Sequence, residues 1–484
     1  MKISRIISGF LWRFLERTAS QGIAIGVTIL LARLLTPDDF GTIALLLVFI
    51  NILQVFIDSG LSSALIQKKD ADDVDFSTVF YFNCLACFVI YGILFIAAPW
   101  IADFYRNEAL TNLIRVLGIV LLISGVRSVQ NAYISRHLAF RLSFAASMVS
   151  LILSGIVAMA MAFCGFGVWA LVAQQILSNG LGTVALWYAT GWRPRLVFSK
   201  ERFRYLFTYG YRLLLSALLD TGYNNVRELI IGRLYSPSDL AFYTQGSRYP
   251  QTIVSNINAS IDSVLFPVLS QVQNDPQHLR NMVRRAVCVS SFLLWPLMMM
   301  LVAVAEPLVR LLMTEKWLPL VPYLQVFCFS YAMWPIHTAN LTGIRAMGRS
   351  DIFLKLEIIK KVVGLCILGV TMFYGPFVMA CGTLASSFLS TIINAWPNQK
   401  LLDYSCREQW RDIAPGCVLA LLSGAVVYPI GYMGWADAAV VTLQAVLGLL
   451  LYGVLAYALR LEVLGYLLQM LKGASESRRA NKLL

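Results

Sequence analysis

Apolar residues in this chain gather in runs of about twenty, separated by short polar stretches, from one end to the other. About fourteen such runs can be drawn: 9–33, 41–64, 77–102, 112–134, 143–163, 167–190, 206–232, 245–270, 286–312, 321–344, 353–374, 376–395, 412–432 and 437–460. A helix of that length crosses the hydrocarbon core of a bilayer. In lipid the backbone must satisfy its own hydrogen bonds, so each run predicts a helix. The sustained polar/apolar alternation of strands is missing. The expected fold class is therefore an all-α polytopic membrane protein with about 14 transmembrane helices. Arg13, Glu16 and Arg17 interrupt the first run and no small-residue cleavage site follows it, so it is read as part of the mature fold rather than a signal peptide.

The pattern also repeats. Arg33-Leu34-Leu35-Thr36-Pro37-Asp38-Asp39-Phe40 closes the first run, and Arg233-Leu234-Tyr235-Ser236-Pro237-Ser238-Asp239-Leu240 closes the seventh, with Arg, Leu, Pro and Asp in register. Ile57-Asp58-Ser59, with Leu61, Leu65 and Gln67, matches Ile261-Asp262-Ser263, with Leu265, Leu269 and Gln271. Asn131 and Arg136 echo Asn340 and Arg345, and Ala98-Pro99 echoes Glu306-Pro307. Ordered matches of this kind indicate duplication, which in a membrane protein points to a transporter. Six crossings separate the copies, so both enter the membrane in the same sense. The expected arrangement is two parallel six-helix lobes around a central cavity, plus two extra C-terminal helices. The expected segments are an N-lobe at 1–192, a basic cytoplasmic linker at 193–205 and a C-lobe at 206–396. A cytoplasmic loop at 397–411, two further helices within 412–460 and a basic tail at 461–484 complete the chain. Lys200 to Phe207 reads as an amphipathic surface helix leading into the seventh span.

The 484 residues are 58% hydrophobic and 13% charged, with a net charge of +13, which excludes an ordinary soluble globule. Assigned to alternate loops, about 25 bases fall on one side and at most five on the other. The positive-inside rule then puts both termini in the cytoplasm. The basicity is accounted for by topology and anionic lipid, so nucleic acid is not an expected partner. The nine cysteines lie almost entirely inside the apolar runs, and Cys84 and Cys87, although a CxxC pair, read as small core residues with no metal implied.

Charges inside the runs carry the candidate chemistry. A base at mid-membrane costs about 2.5–3.5 kcal/mol, so six facing lipid would cost ~15–20 kcal/mol. Most must snorkel, pair or line a wet cavity. Arg127 sits mid-run beside Ser124, Gln130, Asn131 and Ile134 at helical spacing, and Asp220, Asn224 and Arg227 form a stripe with Tyr223. These two arginines lead the candidates for a cationic lumen, against an interhelical polar network. Arg13 and Arg17 share a face, with Glu16 as a local partner. Glu357 precedes Lys361 by four, which leaves Lys360 either sharing that carboxylate or projecting elsewhere. Arg248, like Arg115 and Arg212, lies near a run's end, where snorkelling competes with a lumen role. Tyr223, Asn224 and Trp334 are candidate sugar contacts. Asp58 and Asp262 are equivalent by the repeat, which suits a structural role; together with Asp220 they are also the candidates for H+ or Na+ coupling. His337 is a candidate for cargo contact or proton sensing.

Ile230-Ile231-Gly232-Arg233-Leu234 followed by Leu240-Ala241-Phe242-Tyr243, and Thr314-Glu315-Lys316-Trp317 followed by Pro322-Tyr323-Leu324, resemble motifs of the polysaccharide exporter, or Wzx-type flippase, family. That family belongs to the multidrug/oligosaccharidyl-lipid/polysaccharide (MOP) superfamily, and the likeness is greatest to its colanic-acid exporter group. Ala241 departs from the glycine the family usually carries, which this chain has at Gly41. The resemblance implies a V-shaped two-lobe fold in a bacterial inner membrane, flipping undecaprenyl-diphosphate-linked oligosaccharide for exopolysaccharide or O-antigen-like assembly. A monomer is expected, with membrane lipid, polymerase and chain-length machinery as partners, no resident cofactor and no enzymatic activity. Guanidinium groups suit a diphosphate because they stay charged and donate in pairs. The alternatives are an ion-coupled multidrug antiporter of the same superfamily, which would favour acidic lumen residues, and a membrane glycosyltransferase or polymerase, which would need long loops carrying carboxylates.

Overall fold

The computed structural model describes residues 3–58, 60–273, 275–467 and 469, and for 3–11, 14 and 209 the backbone alone. Of the basic tail expected at 461–484, residues 468 and 470–484 lie outside the described residues, as does Lys2. Every apolar run falls on helix, and no strand occurs among the described residues. Nine helical segments there are long and apolar enough to cross a membrane. The chain is a multi-pass α-helical membrane protein.

It divides by contact into two compact units, 1–241 and 242–484. The first unit holds α1 (Ile3–Leu34), α2 (Pro37–Asp58), α3 (Leu61–Gln67), α4 (Asp73–Phe104), α5 (Ala109–Leu117), α6 (Ile119–His137), α7 (Phe140–Phe163), α8 (Val168–Thr190) and α9 (Lys200–Leu234). Helix α9 packs chiefly on α2, with further contacts to α3 and α4, which is why contact groups it here. Ser199 caps α9 by accepting from the Arg202 amide. The expected surface helix at 200–207 is not a separate element but the first turns of this 35-residue helix. Helix α7 buries a stripe of small residues (Ser143, Ala146, Ser150, Ser154, Ala158) at helical spacing. Without bulk on that face, backbones approach and dispersion replaces the hydrophobic drive that lipid cannot supply. A Cβ on Gly155 would lie 2.7 Å from Val27 of α1. Cys87 is buried against Gly125 of α6, a core role; all nine cysteines are free thiols.

The bases of this unit's polar end are largely neutralised or bound. Lys68 pairs with the buried Asp75 at 2.7 Å, Arg202 with Asp72, and Arg195 with Asp73 at 2.8 Å. Arg136 donates to the Leu65 and Lys68 carbonyls, closing the last turn of α3.

The second unit comprises most of α10 (Pro237–Gln271), then α11 (Pro276–Ala303), α12 (Ala305–Met313), a 3-10 turn at Glu315–Leu320, α13 (Val321–Ala332) and α14 (Trp334–Ala346). It continues with α15 (Ser350–Thr371), α16 (Pro376–Leu401), α17 (Cys406–Val427) and α18 (Asp437–Ala458). Helices α17 and α18 pack on α11, where Gly448 accommodates Met300 so closely that a Cβ would fall 2.0 Å from its sulfur.

Runs 112–134, 286–312 and 321–344, expected as unbroken spans, are each two helices, interrupted at Gly118, Val304 and Met333, and run 41–64 is divided between α2 and α3. Side chains take up carbonyls near two of the breaks: the Tyr91 hydroxyl donates to Arg115 O at 3.1 Å, and Gln325 Nε2 donates to Val302 O at 3.4 Å. Hydropathy averages over such breaks, whereas backbone hydrogen bonding registers them.

Candidate functional site

Three helices of the first unit turn polar stripes toward one another. From Ile43 onward helix α2 is apolar except for Asn51, Gln54 and Asp58, three and four residues apart. Helix α6 contributes Ser124, Arg127 and Asn131, and α8 contributes Gln175 and Asn179. These side chains line a cavity of about 300 Å³, closed on its apolar side by Leu47, Ile50, Leu117 and Val120. Helical spacing brings each stripe onto one face, and packing of α2, α6 and α8 brings the faces together.

Arg127 is the centre of the site's electrostatics. Its Nε is buried and has no hydrogen-bond acceptor, and it forms no ion pair among the described residues. Its Nη1 lies where a Cβ on Gly182 would come within 3.4 Å, so glycine there gives the guanidinium room. Asp58 lines the same cavity and is engaged by Gln54, whose Nε2 donates to Oδ2 at 3.0 Å. A buried donor without an acceptor is costly, and an anion or a hydroxyl-rich ligand supplies what is missing.

The sequence expectations meet the structure unevenly. Asp58 and Arg127 share the cavity, with Ser124 and Asn131 as anticipated neighbours. Gln130 does not; it is buried toward α8, accepting from the Thr190 hydroxyl at 2.5 Å. Asn51, Gln54, Gln175 and Asn179 were not anticipated, although polar residues at i, i+3 and i+7 in an apolar run were a readable signal. Arg13 is exposed and pairs with Glu16 at 3.0 Å, and Glu16 also accepts from Ser143. Arg17 is exposed on the same helix. Arg227 is half-buried with its guanidinium 5.6 Å from the Tyr223 ring centre, and Asn224 donates to Asp220 at 3.3 Å.

In the second unit Arg248 lies exposed on α10. Lys360 holds Glu357, at 2.5 Å. Trp334 opens α14 edge-on to Tyr331 at 4.8 Å. His337 is enclosed by Asn394 and Ser387. Asp262 accepts from Arg345 at 2.6 Å and from the Thr342 hydroxyl at 2.5 Å. The equivalence of Asp58 and Asp262 in sequence therefore does not extend to their partners. Asn340, the counterpart of Asn131, is also engaged internally: it exchanges hydrogen bonds with Gln409 and accepts from Asn398.

Comparison with known proteins gives the context. The chain is 24% identical over 351 residues to the succinoglycan biosynthesis transport protein ExoT of Rhizobium meliloti, covering 72% of this chain and 71% of that one. It is 26% identical over 355 residues to the teichuronic acid biosynthesis protein TuaB of Bacillus subtilis, covering 72% of each. Against the lipopolysaccharide biosynthesis protein WzxC of Escherichia coli identity is 22% over 418 residues, covering 81% and 84%. Among solved structures, the lipid II flippase MurJ in an inward closed conformation superposes with TM-score 0.75 at 13% identity, covering 96% of this chain and all of that one. An inward-facing MATE transporter of the MOP superfamily superposes with TM-score 0.61 at 15% identity, over 80% and 98%. The chain thus shares its fold with MurJ and with the MATE transporter. The model of the polysaccharide biosynthesis protein family matches residues 30–322, more than half of the sequence, and the chain belongs to that family.

Proposed function

We propose that the protein is a flippase or exporter that moves undecaprenyl-diphosphate-linked oligosaccharide repeat units across a bacterial inner membrane. The observation that carries this reading is Arg127, an arginine in a polar cavity with a buried donor left unsatisfied. A diphosphate or sugar headgroup supplies acceptors to it, and amides such as Asn51, Gln175 and Asn179 suit sugar hydroxyls. The names of the relatives in polymer biosynthesis and transport support the same reading. The protein acts as a carrier rather than an enzyme, with both termini in the cytoplasm and the headgroup admitted alternately from either side by the lobes 1–192 and 206–396. Arg227, Arg13, Arg17, Lys360 and Arg248 extend the cationic path, and Tyr223, Asn224 and Trp334 contact sugar. Release is driven by the difference in affinity between the two states, with Asp58, Asp220 or Asp262 coupling it to H+ or Na+.

The test is a proteoliposome assay of outward exposure of lipid-diphosphate sugar, comparing wild type with Arg127→Ala, Arg227→Ala and Arg127→Lys. Arg127→Ala is expected to lower the rate by about tenfold or more, the effect of losing a charge-assisted contact. Arg127→Lys is expected to restore part of it, because charge returns without the paired donors. Full activity in Arg127→Ala and Arg227→Ala would remove both from the path.

A further inference from the structure

A cavity of about 850 Å³ lies in the second unit and plays no part in the reading above. It is bounded by the first turns of α11, the first turns of α17 and the chain that follows α18. We propose that this arginine-rimmed cavity binds a phosphate-bearing anion, the rim of Arg285, Arg411 and Arg460 engaging the phosphate.

Five arginines line it, but they are not equivalent. Arg284 makes a two-point pair with Asp412, at 2.7 Å on each arm, and the Tyr404 hydroxyl donates to the same carboxylate. Arg280 is divided between Asp403 and Glu408 at 3.4 and 3.2 Å. These two pairings fasten α11 to the start of α17 and form the back of the cavity. Arg285, Arg411 and Arg460 are exposed and form no ion pair among the described residues. Glu462 is the one lining carboxylate that no arginine engages, so the free charge of the rim is positive.

Two details suggest that the rim is arranged for a ligand. The guanidinium of Arg285 lies 5.1 Å from the Tyr466 ring centre, and stacking of this kind leaves its in-plane N–H groups pointing outward. Arg460 ends α18 with φ +50°, its amide donating to Tyr457 O while the next amide donates to Ala456 O. That helix ending favours glycine, and an arginine there carries backbone strain in exchange for a cation at the cavity's edge.

The remaining walls decide the chemical class. Val289, Phe292 and Ile413 form an apolar side below the charged rim. A cavity with a cationic mouth and an apolar side suits an amphiphile, a lipid headgroup phosphate with the start of its chains. Free inorganic phosphate would use the rim alone.

The experiment uses the full-length protein purified in neutral detergent, with lipid adducts counted by native mass spectrometry. Probes are phosphatidic acid, phosphatidylcholine of the same chains, and inorganic phosphate as competitor. The triple substitution Arg285→Gln/Arg411→Gln/Arg460→Gln, all at exposed positions, is expected to lower phosphatidic acid occupancy about tenfold. Phosphatidylcholine adducts should not change, and Arg195→Gln in the first unit should behave as wild type. Displacement of phosphatidic acid by millimolar phosphate would support the site with free phosphate as a sufficient ligand. Resistance to it would support the site with the lipid headgroup as its ligand. Retention of wild-type phosphatidic acid occupancy in the triple variant, or equal uptake of phosphatidylcholine and phosphatidic acid by the wild type, would overturn the proposal.

Discussion

Arg345 donates to Asp262 at 2.6 Å, joining α14 to α10, and Thr342 reinforces the same oxygen. In the first copy of the repeat the counterpart arginine, Arg136, is spent on the carbonyls at the end of α3, and the counterpart carboxylate, Asp58, is left at a cavity with Arg127. The two segments match in sequence, but one set of residues forms a tether and in the other Asp58 lines a cavity.

Arg345→Gln should therefore act on stability. Loss of a charge-assisted bond at a half-buried aspartate is expected to cost about 1.5–3 kcal/mol. The thermal midpoint of the detergent-purified protein would fall, and Asp262→Asn would fall less because Thr342 still has an acceptor. An unchanged midpoint with abolished transport would instead place Asp262 on the transport path.

Asp58 and Arg127 should be energetically coupled in transport. Residues lining one small cavity show interaction energies of about 0.5–3 kcal/mol in double-mutant cycles. Rates measured for Asp58→Asn, Arg127→Gln and the double variant are expected to be non-additive, with thermal midpoints near wild type. Strict additivity would show that the two act independently.

Gly41 should tolerate no side chain. A Cβ there would lie 1.6 Å from the Pro237 carbonyl oxygen, where the two Pro-Asp turns meet and Ser238 donates to Asp38 at 2.7 Å. Gly41→Ala forces backbone apart, a cost of about 1–3 kcal/mol or more, readable as lost folded yield and a lower midpoint. The reciprocal Ala241→Gly should cost about 0.5–1 kcal/mol, chiefly from chain entropy. Equal effects of the two would remove this contact as the cause.

Thiol labelling should report topology. Cys164 and Cys366 are exposed, whereas Cys87, Cys328 and Cys417 are buried. In a bacterial cell with both termini cytoplasmic, the α7–α8 turn faces outward, and Cys164 should react with a membrane-impermeant maleimide in intact cells. The three buried thiols should react only after denaturation. Labelling of Cys164 only in opened membranes would invert the proposed orientation.

Much of this architecture was legible in the linear chain. The twenty-residue apolar runs, the duplicated turns and the distribution of bases follow from terms nearly additive along it: each residue is transferred into lipid or kept from it largely on its own account. The candidate site was half legible. Arg127 stood out because an arginine amid apolar residues is costly wherever it sits, while Asn51 and Gln54 on α2, and Gln175 and Asn179 on α8, are neutral amides whose cost depends on whether a partner is near.

What the order of residues could not decide was who meets whom. Ile57-Asp58 and Ile261-Asp262 are alike locally, yet one carboxylate finds a guanidinium 83 residues away and the other finds Gln54 on its own helix. Pairing of charges depends on separations of a few ångströms, and those are set by how α2, α6 and α8, or α10 and α14, pack through small residues and broken turns. Composition along the chain determines that it lies in a membrane; packing determines which of its embedded polar groups find partners within the protein.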